Sequence, residues 1–150
     1  MYLFGEIRVR TDEKYKQLYN DLKNFVFRDM HEIFFTCAAI GYRSGRRIPL
    51  GKRGDDRFWS STITPYEFAM FYSIVAETED MNYQGLLDTK AVVEVAEEYA
   101  NAGMEVLLEE ILGEYVIEGG NGPILDQGSC DELPKIILAY IYDKSLSEPN

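Results

Sequence analysis

The sequence contains few of the residues that most often carry enzyme chemistry. It has one histidine, two cysteines and one tryptophan among 150 residues. On one helix, His31 and Cys37 would point to different faces, so a cysteine–histidine nucleophile is not expected. Their spacing with Cys130 matches no zinc motif. The sequence therefore predicts no catalytic residue, metal or cofactor, and His31 is expected to be a capping or surface residue.

Long apolar runs are also absent. No segment approaches the roughly 18–20 apolar residues that span a bilayer, and the first residues lack the basic and apolar regions of a secretory signal. Two cysteines fit a reducing compartment, in which a Cys37–Cys130 disulfide is the less favoured alternative. We therefore expect a cytoplasmic protein without a membrane partner.

Basic residues are scarce in the second part of the chain. Residues 1–57 contain twelve basic and eight acidic residues, a balance of +4, whereas residues 58–150 contain three basic and eighteen acidic residues, a balance of −15. Together they give the net charge of −11. This asymmetry indicates two surfaces with different partners, or one surface that meets the other across a homo-oligomer.

The strongest structural signal is the segment of residues 88–112. Apolar residues such as Val92, Ala96 and Val106 recur at helical spacing, and glutamates and Asn101 fall on the opposite side. Because both faces keep their phase across Gly103, the pattern predicts one unbroken helix of about 25 residues. The missing side chain of Gly103 would let a neighbouring helix approach closely.

The rest of the sequence predicts shorter elements around this helix. A chain of this length and hydrophobic content fits one domain over residues 1–150. The predicted fold is mainly α, a single-domain bundle of four or five helices with a small β hairpin or a terminal strand. The first elements are a strand or an extended arm at 3–10, a helix at 12–28, a buried helix ending near 43 and capped by Asp29, and a short strand within 57–63. They are followed by a helix at 64–77 with a Thr64–Glu67 capping box, a loop or hairpin around 115–117, and a last helix or strand around 136–141 after a Ser129–Glu132 capping box.

Several glutamates share the polar face of the long helix. Carboxylates three or four positions apart favour either a metal site or a solvated acidic surface, and no second helix supplies the Glu-x-x-His motif of a di-metal bundle. We therefore expect an acidic surface that faces a basic partner protein. Its residues are Glu94, Glu97, Glu98, Glu105 and Glu109.

A basic cluster precedes the acidic part of the chain. Six cationic residues fall within 15 positions, and such residues contact DNA phosphates or a protein partner. The alternative, which carries more weight, is that they pair with the acidic half of the same chain or with a neighbouring subunit. The predicted contact residues are Arg43, Arg46, Arg47, Lys52, Arg53 and Arg57.

Two sequence blocks resemble a known family. Residues 34–50, which read Phe-Phe-Thr-Cys-Ala-Ala-Ile-Gly-Tyr-Arg-Ser-Gly-Arg-Arg-Ile-Pro-Leu, and residues 98–105, which read Glu-Tyr-Ala-Asn-Ala-Gly-Met-Glu, are similar to blocks of the small accessory proteins of bacterial DNA-phosphorothioation (dnd) defence systems. Ile74-Val75-Ala76 is similar to the piece between them, and Ala102 stands where the family has glycine. The resemblance implies a partner protein of a complex that modifies or restricts DNA, and it supplies no catalytic residues.

We therefore expect a non-enzymatic accessory or adaptor protein of a bacterial anti-phage DNA modification or restriction system. It would act through other protein components of the system, with DNA contact through the basic residues as a further alternative. An acidic inhibitor or immunity protein that blocks a nucleic-acid enzyme is the second hypothesis. An enzyme whose site is completed by a partner is the third.

Overall fold

Five helices and two antiparallel strand pairs make up the part of the chain that the computed structural model describes, residues 6–79 and 88–146. The mainly α class with small β hairpins is confirmed. The beginning of the strand predicted at residues 3–10 lies outside the described residues, as does most of the segment 78–87, which the sequence predicts to connect the helix at 64–77 to the long helix. The elements are β1 Arg8–Asp12, α1 Lys16–Phe25, α2 Met30–Arg43, β2 Gly54–Trp59, α3 Pro65–Glu79, α4 Thr89–Glu110, β3 Val116–Glu118, β4 Pro123–Leu125 and α5 Leu133–Leu146.

The helix α4 is the central element of the fold. It runs unbroken through Gly103 over 22 residues, as the sequence predicts. Its apolar stripe is buried, with Val92, Ala102 and Leu107 fully inaccessible. The polar side is partly buried as well, because Glu97 and Asn101 are each only 7% exposed. The prediction that these two residues lie on a solvated face is therefore wrong.

The helices α2 and α4 cross with their backbones in contact. A Cβ atom on Gly103 would lie 1.7 Å from the carbonyl oxygen of Cys37, and a Cβ atom on Gly41 would lie 2.1 Å from the carbonyl oxygen of Tyr99. Both neighbours are backbone atoms of the opposite helix, so no side-chain rotation can relieve the overlap. The two glycines allow the backbones to touch, which confirms the prediction made for Gly103.

Most predicted helix caps are present. Asp29 and Glu32 form a capping box at α2, Thr64 and Glu67 form one at α3, and Asp88 accepts from the N–H of Ala91 at 3.3 Å to cap α4. These contacts satisfy N–H groups that have no partner within their helix. The box predicted from Ser129 is wrong, because the Ser129 hydroxyl donates to the Asp126 carbonyl and α5 begins at Leu133.

The strands β1 and β2 pair with a β-bulge. Val9 pairs with Phe58, but Arg10 pairs with Asp56, so Arg57 is the extra residue of the bulged strand. The strand predicted within residues 57–63 thus begins and ends earlier, because residues 60–62 form a turn of 3₁₀ helix.

The strands β3 and β4 confirm the small hairpin that was one alternative for this region. Asp21 of α1, which is 4% exposed, accepts the N–H of Leu125 at 3.1 Å. This bond fastens the hairpin to α1.

The core connects α2, α3 and the first sheet through aromatic rings. Phe34 makes edge contacts with Phe58 and with Phe71, at centroid distances of 5.4 and 5.7 Å. Leu133 and Ile137 of α5 are buried in the same cluster. Because β2 is fixed to this core, its far end at Trp59 has a defined position beside α4.

The substitution Gly103→Ala tests the helix crossing. Alanine favours a helix interior by about 1 kcal/mol over glycine. Forcing a methyl group against a backbone carbonyl costs about 3 kcal/mol or more, at the upper end of overpacking effects. We expect the free energy of unfolding in urea to fall by at least about 2 kcal/mol, since the clash outweighs the propensity.

Gly120→Ala is the matched control, because nothing lies within 4 Å of a Cβ atom at that position. Its free energy of unfolding should change by less than about 0.5 kcal/mol. A Gly103→Ala protein as stable as the parent would show that the two backbones do not touch.

Candidate functional site

Two arginines of the predicted basic cluster bind glutamates of α4. The Arg46 guanidinium donates to Glu105 at 2.7 Å and to Glu109 at 3.0 Å, and the Arg47 guanidinium donates to Glu98 at 2.7 Å. The bonds from Arg46 lower the pKa of the Glu109 carboxyl. Pairing with the acidic half of the same chain, which the sequence analysis favours over contact with DNA, is thus present for these two arginines.

The backbone of the same loop is fixed to α4. The N–H of Ile48 donates to the Glu98 carbonyl at 3.1 Å, and the Asn101 side-chain amide donates to the Ile48 carbonyl at 3.1 Å. This contact explains why Asn101 is buried on a side of the helix that the sequence assigns to solvent.

The predicted acidic and basic surfaces therefore adjoin each other. We use the name charged strip for Arg46, Arg47, Glu98, Glu105 and Glu109, whose side chains are between 30% and 54% exposed. The expectation of two separate surfaces is wrong for these residues. Ion pairs at such exposure contribute about 0–1 kcal/mol each, so their main effect is to neutralise the loop.

Arg57 lies inside the protein, contrary to its predicted role in a contact surface. Its side chain is 4% exposed, and its guanidinium donates to the Thr11 hydroxyl at 2.8 Å and lies 3.4 Å from Asp55. The bulge accounts for this orientation, since an extra residue in a strand redirects the side chains beside it. A single sequence carries no signal for that bulge.

The remaining members of the basic cluster lie apart from the charged strip. Lys52 and Arg53 are exposed on a short 3₁₀ helix, Gly51–Arg53. Arg43 is the last residue of α2 and, with Lys144, borders a small apolar hollow between α2 and α5. The six predicted cations therefore do not form one continuous surface.

His31 connects two helix N-termini. Its Nδ1 atom lies 2.9 Å from Oε1 of Glu67, which belongs to the capping box of α3, and its Nε2 atom lies 3.7 Å from Asp29, the cap of α2. The side chain is only 15% exposed. The sequence predicts a capping or surface position for His31. Instead, its side chain is partly buried and lies between the capping residues of two helices.

Both cysteines are buried and neither forms a disulfide. Burial raises the pKa of the Cys37 thiol to about 12. A thiol with such a pKa is a poor nucleophile at neutral pH, because the thiolate is the reactive form. Within residues 6–79 and 88–146, no group of three or more His, Cys, Asp or Glu residues is arranged to hold a metal ion.

A cleft of about 560 Å³ lies beside the charged strip. We call it the Glu97 cleft. Its walls are β1 and the residues before it, the turn at residues 49–51, Trp59, and the first half of α4. The volume is in the range of small-ligand sites. Its lining combines the apolar side chains Ile7, Pro49, Leu50, Trp59 and Val93 with the charged residues Glu6, Arg8, Arg10, Lys90, Glu94, Glu97 and Glu98.

Glu97 lies in this cleft with little exposure to water. Its Oε2 atom accepts the backbone N–H of Arg10 at 2.7 Å, which connects α4 to β1. Burial, as the largest cause, raises the pKa of the Glu97 carboxyl to about 7. Glu97 therefore changes charge near neutral pH, unlike an ordinary surface glutamate.

The sequence identifies Glu94, Glu97 and Glu98 but not the cleft that they border. The other walls are supplied by residues at positions 6–10, 49–51 and 59, which only the fold brings together. The alternation of apolar and polar residues in the first strand is a sequence signal for the cleft, because it predicts a strand that needs a packing partner.

The fold and these sites define a mainly α domain in which an arginine loop and a small sheet pack along one buried helix. The family model described as DNA sulphur modification system-associated protein 4 matches residues 8–118, and the chain belongs to that family. The matched region includes the charged strip and most of the Glu97 cleft. No curated protein and no solved structure matches the chain. None of the described helices is long and apolar enough to cross a membrane.

The substitution Glu97→Gln tests the burial of this carboxyl. An acid whose pKa is higher in the folded than in the unfolded state loses stability as the pH rises from its unfolded pKa, about 4.3, to its folded pKa. The substitution should leave the free energy of unfolding almost unchanged at pH 4 and raise it at pH 8. A pKa difference of this size corresponds to a gain on the order of 3 kcal/mol, measured by urea unfolding at both values.

Glu118→Gln is the control, because Glu118 is exposed on β3 and lies outside the cleft. Its free energy of unfolding should change by less than about 0.5 kcal/mol. If Glu97→Gln gave the same difference from the parent at pH 4 and pH 8, Glu97 would be ionising as it does in water.

Proposed function

We propose that this chain is a non-enzymatic adaptor of an anti-phage DNA sulphur modification system and that it acts by binding another protein component. Family membership supports the accessory role. The observation that carries the adaptor mechanism is the pairing of Arg46 and Arg47 with the glutamates of α4.

This pairing reduces the attraction for DNA. Phosphate binding depends on cations that can replace the counterions of DNA. Here Arg46 and Arg47 already neutralise carboxylates, and Arg57 is inside the protein. The net charge of −11 then favours a basic protein surface over a nucleic acid as the partner.

The partner-facing region that we propose consists of the charged strip and the exposed Glu94 next to it. Trp59, which is 44% exposed, lies near this region at the cleft. Exposed tryptophan and arginine are enriched in protein interfaces, so this combination fits an interface with a polar rim.

A non-enzymatic role is supported by the positions of His31 and Cys37. The histidine is held between two helix caps, and the thiol is fully buried with a raised pKa. Both groups serve packing or capping in this fold.

A protein that inhibits a nucleic-acid enzyme is the second candidate. A further acidic hollow, bordered by Glu109, Glu110, Glu114 and Asp143, favours it, because a carboxylate-rich surface can cover a DNA-binding surface on an enzyme. The two candidates differ in whether the bound partner keeps its activity.

Binding of the tagged chain to purified proteins tests the proposal. Each of the other proteins of the modification system is purified separately and titrated with this chain. We expect one of them to bind and to keep its activity in the complex. Reversing Glu98 and Glu105 to lysine should weaken binding about tenfold or more, because the charged strip then becomes basic and repels a basic partner. Glu118→Lys, an exposed reversal on β3, is the control and should leave the affinity unchanged.

A fluorescence titration with a short DNA duplex at low salt tests direct DNA contact. We expect no saturable binding, and Lys52→Glu with Arg53→Glu should then change nothing. Duplex binding that this pair of substitutions weakens would favour DNA contact over the adaptor mechanism. Loss of the partner's nuclease or modifying activity on binding would favour the inhibitor.

A further inference from the structure

The Glu97 cleft contains a buried carboxylate that forms no ion pair among the described residues. Its hydrogen bond comes from the neutral backbone N–H of Arg10, and the Arg10 guanidinium attracts it without forming an ion pair. Its residue exposure is 7%. A buried charge normally has a counter-ion, because desolvation is costly otherwise. The cleft therefore has room and negative charge at the same place.

The other charges in the cleft are largely engaged. Arg8 lies 3.7 Å from Asp56, the Arg10 guanidinium donates to the Gly54 carbonyl at 2.9 Å, and Glu98 binds Arg47. Within the described residues, Arg10, Lys90, Glu94 and Glu97 have no ion pair, so the remaining charges are two cations and two carboxylates. Glu6 adds a further carboxylate at the edge.

The aromatic wall suits a planar cation. Arg8 already lies over the Trp59 ring at 4.5 Å, which shows that the indole face accepts a guanidinium at this position. Guanidinium groups are weakly hydrated, stack on aromatic rings and bind carboxylates through two N–H donors. Leu50 and Val93 provide apolar contact for the methylene groups of such a side chain.

We propose that the Glu97 cleft receives an arginine side chain from the partner protein, with its guanidinium bound by Glu97 and Glu94 beside Trp59. This inference rests on the proposed function, since it assigns the docking point of the same protein–protein contact. An anionic ligand such as a phosphate group is disfavoured, because four carboxylates outnumber the three cations that border the space, and one of these cations, Arg8, is already paired with Asp56.

The tryptophan at the cleft allows a direct test on the isolated chain. Trp59 is the only tryptophan of the sequence, so intrinsic fluorescence reports on this site. The probe is the tripeptide Gly-Arg-Gly, acetylated and amidated, and the comparators are the equally blocked Gly-Glu-Gly and inorganic phosphate. We expect a saturable change in emission, with matching backbone amide shifts in β1 and α4, for the arginine peptide alone.

Glu97→Gln is the critical variant, because it keeps an acceptor for the Arg10 N–H and removes the charge. It should weaken arginine-peptide binding about tenfold or more. Glu118→Gln removes the same charge on β3 outside the cleft and should bind like the parent.

The affinity of the parent should rise from pH 6 to pH 8. Glu97, with its pKa raised to about 7, must lose its proton to bind a cation. The charged groups around it are Glu6, Arg8 and Arg10 before and on β1, and Lys90, Glu94 and Glu98 on α4. The rise should be absent in Glu97→Gln.

Three outcomes would overturn the assignment: no binding of the arginine peptide, equal binding by Glu97→Gln, or tighter binding of phosphate. Each of these outcomes tests the cleft alone, because the titrations use the isolated chain without a partner protein. If a partner is captured equally well by the parent and by Glu97→Gln, the adaptor function holds and the cleft is not its docking point. If no component of the system is captured, the proposed function fails even where the peptide binds.

Discussion

The contact between α2 and α4 at Gly41 and Gly103 fixes the position of the loop that follows α2. Two helix backbones touch there, each occupying the space that a Cβ atom would need on the other. This approach brings the end of α2 against the middle of α4, so the loop that follows α2 begins next to the polar side of α4. The pairing of Arg46 with Glu105, and of Arg47 with Glu98, is a consequence of that position. A fold with the same helices separated by ordinary side chains would hold the loop farther from those glutamates.

The arrangement also explains the combination of a strongly acidic chain with a locally neutral loop. Charges that are far apart in the sequence cancel where the loop runs along α4, whereas the carboxylates near the first turns of α4 keep their negative potential. Electrostatic attraction over long distances depends on the net charge, and recognition at contact depends on the local arrangement. In this protein the two properties differ within one surface.

The sequence predicts the helices well, because their signals are local. Capping boxes at Thr64 and Asp29 and the periodicity around Val92 depend on residues within a few positions of each other, and all three are present. The resemblance to the dnd-associated family, carried by two blocks, is also confirmed by the family match. The orientation of Arg57 depends on a bulge, and the burial of Glu97 depends on β1, which is nearly ninety positions away in the sequence. Such contacts between distant segments leave no periodic trace, so the sequence predicts only the α4 residues of the candidate site and not the cleft.

The family match ends at residue 118, inside the β3–β4 hairpin, and the described structure continues through β4 and α5. Asp21 of α1 lies within the match, but the backbone group that it accepts, the N–H of Leu125, lies beyond it. Leu133 and Ile137 also belong to the buried cluster. A recombinant fragment cut at the edge of the match would thus contain an inaccessible aspartate without its backbone donor and a core open at one end. The folding unit of this chain extends past the portion that defines its family.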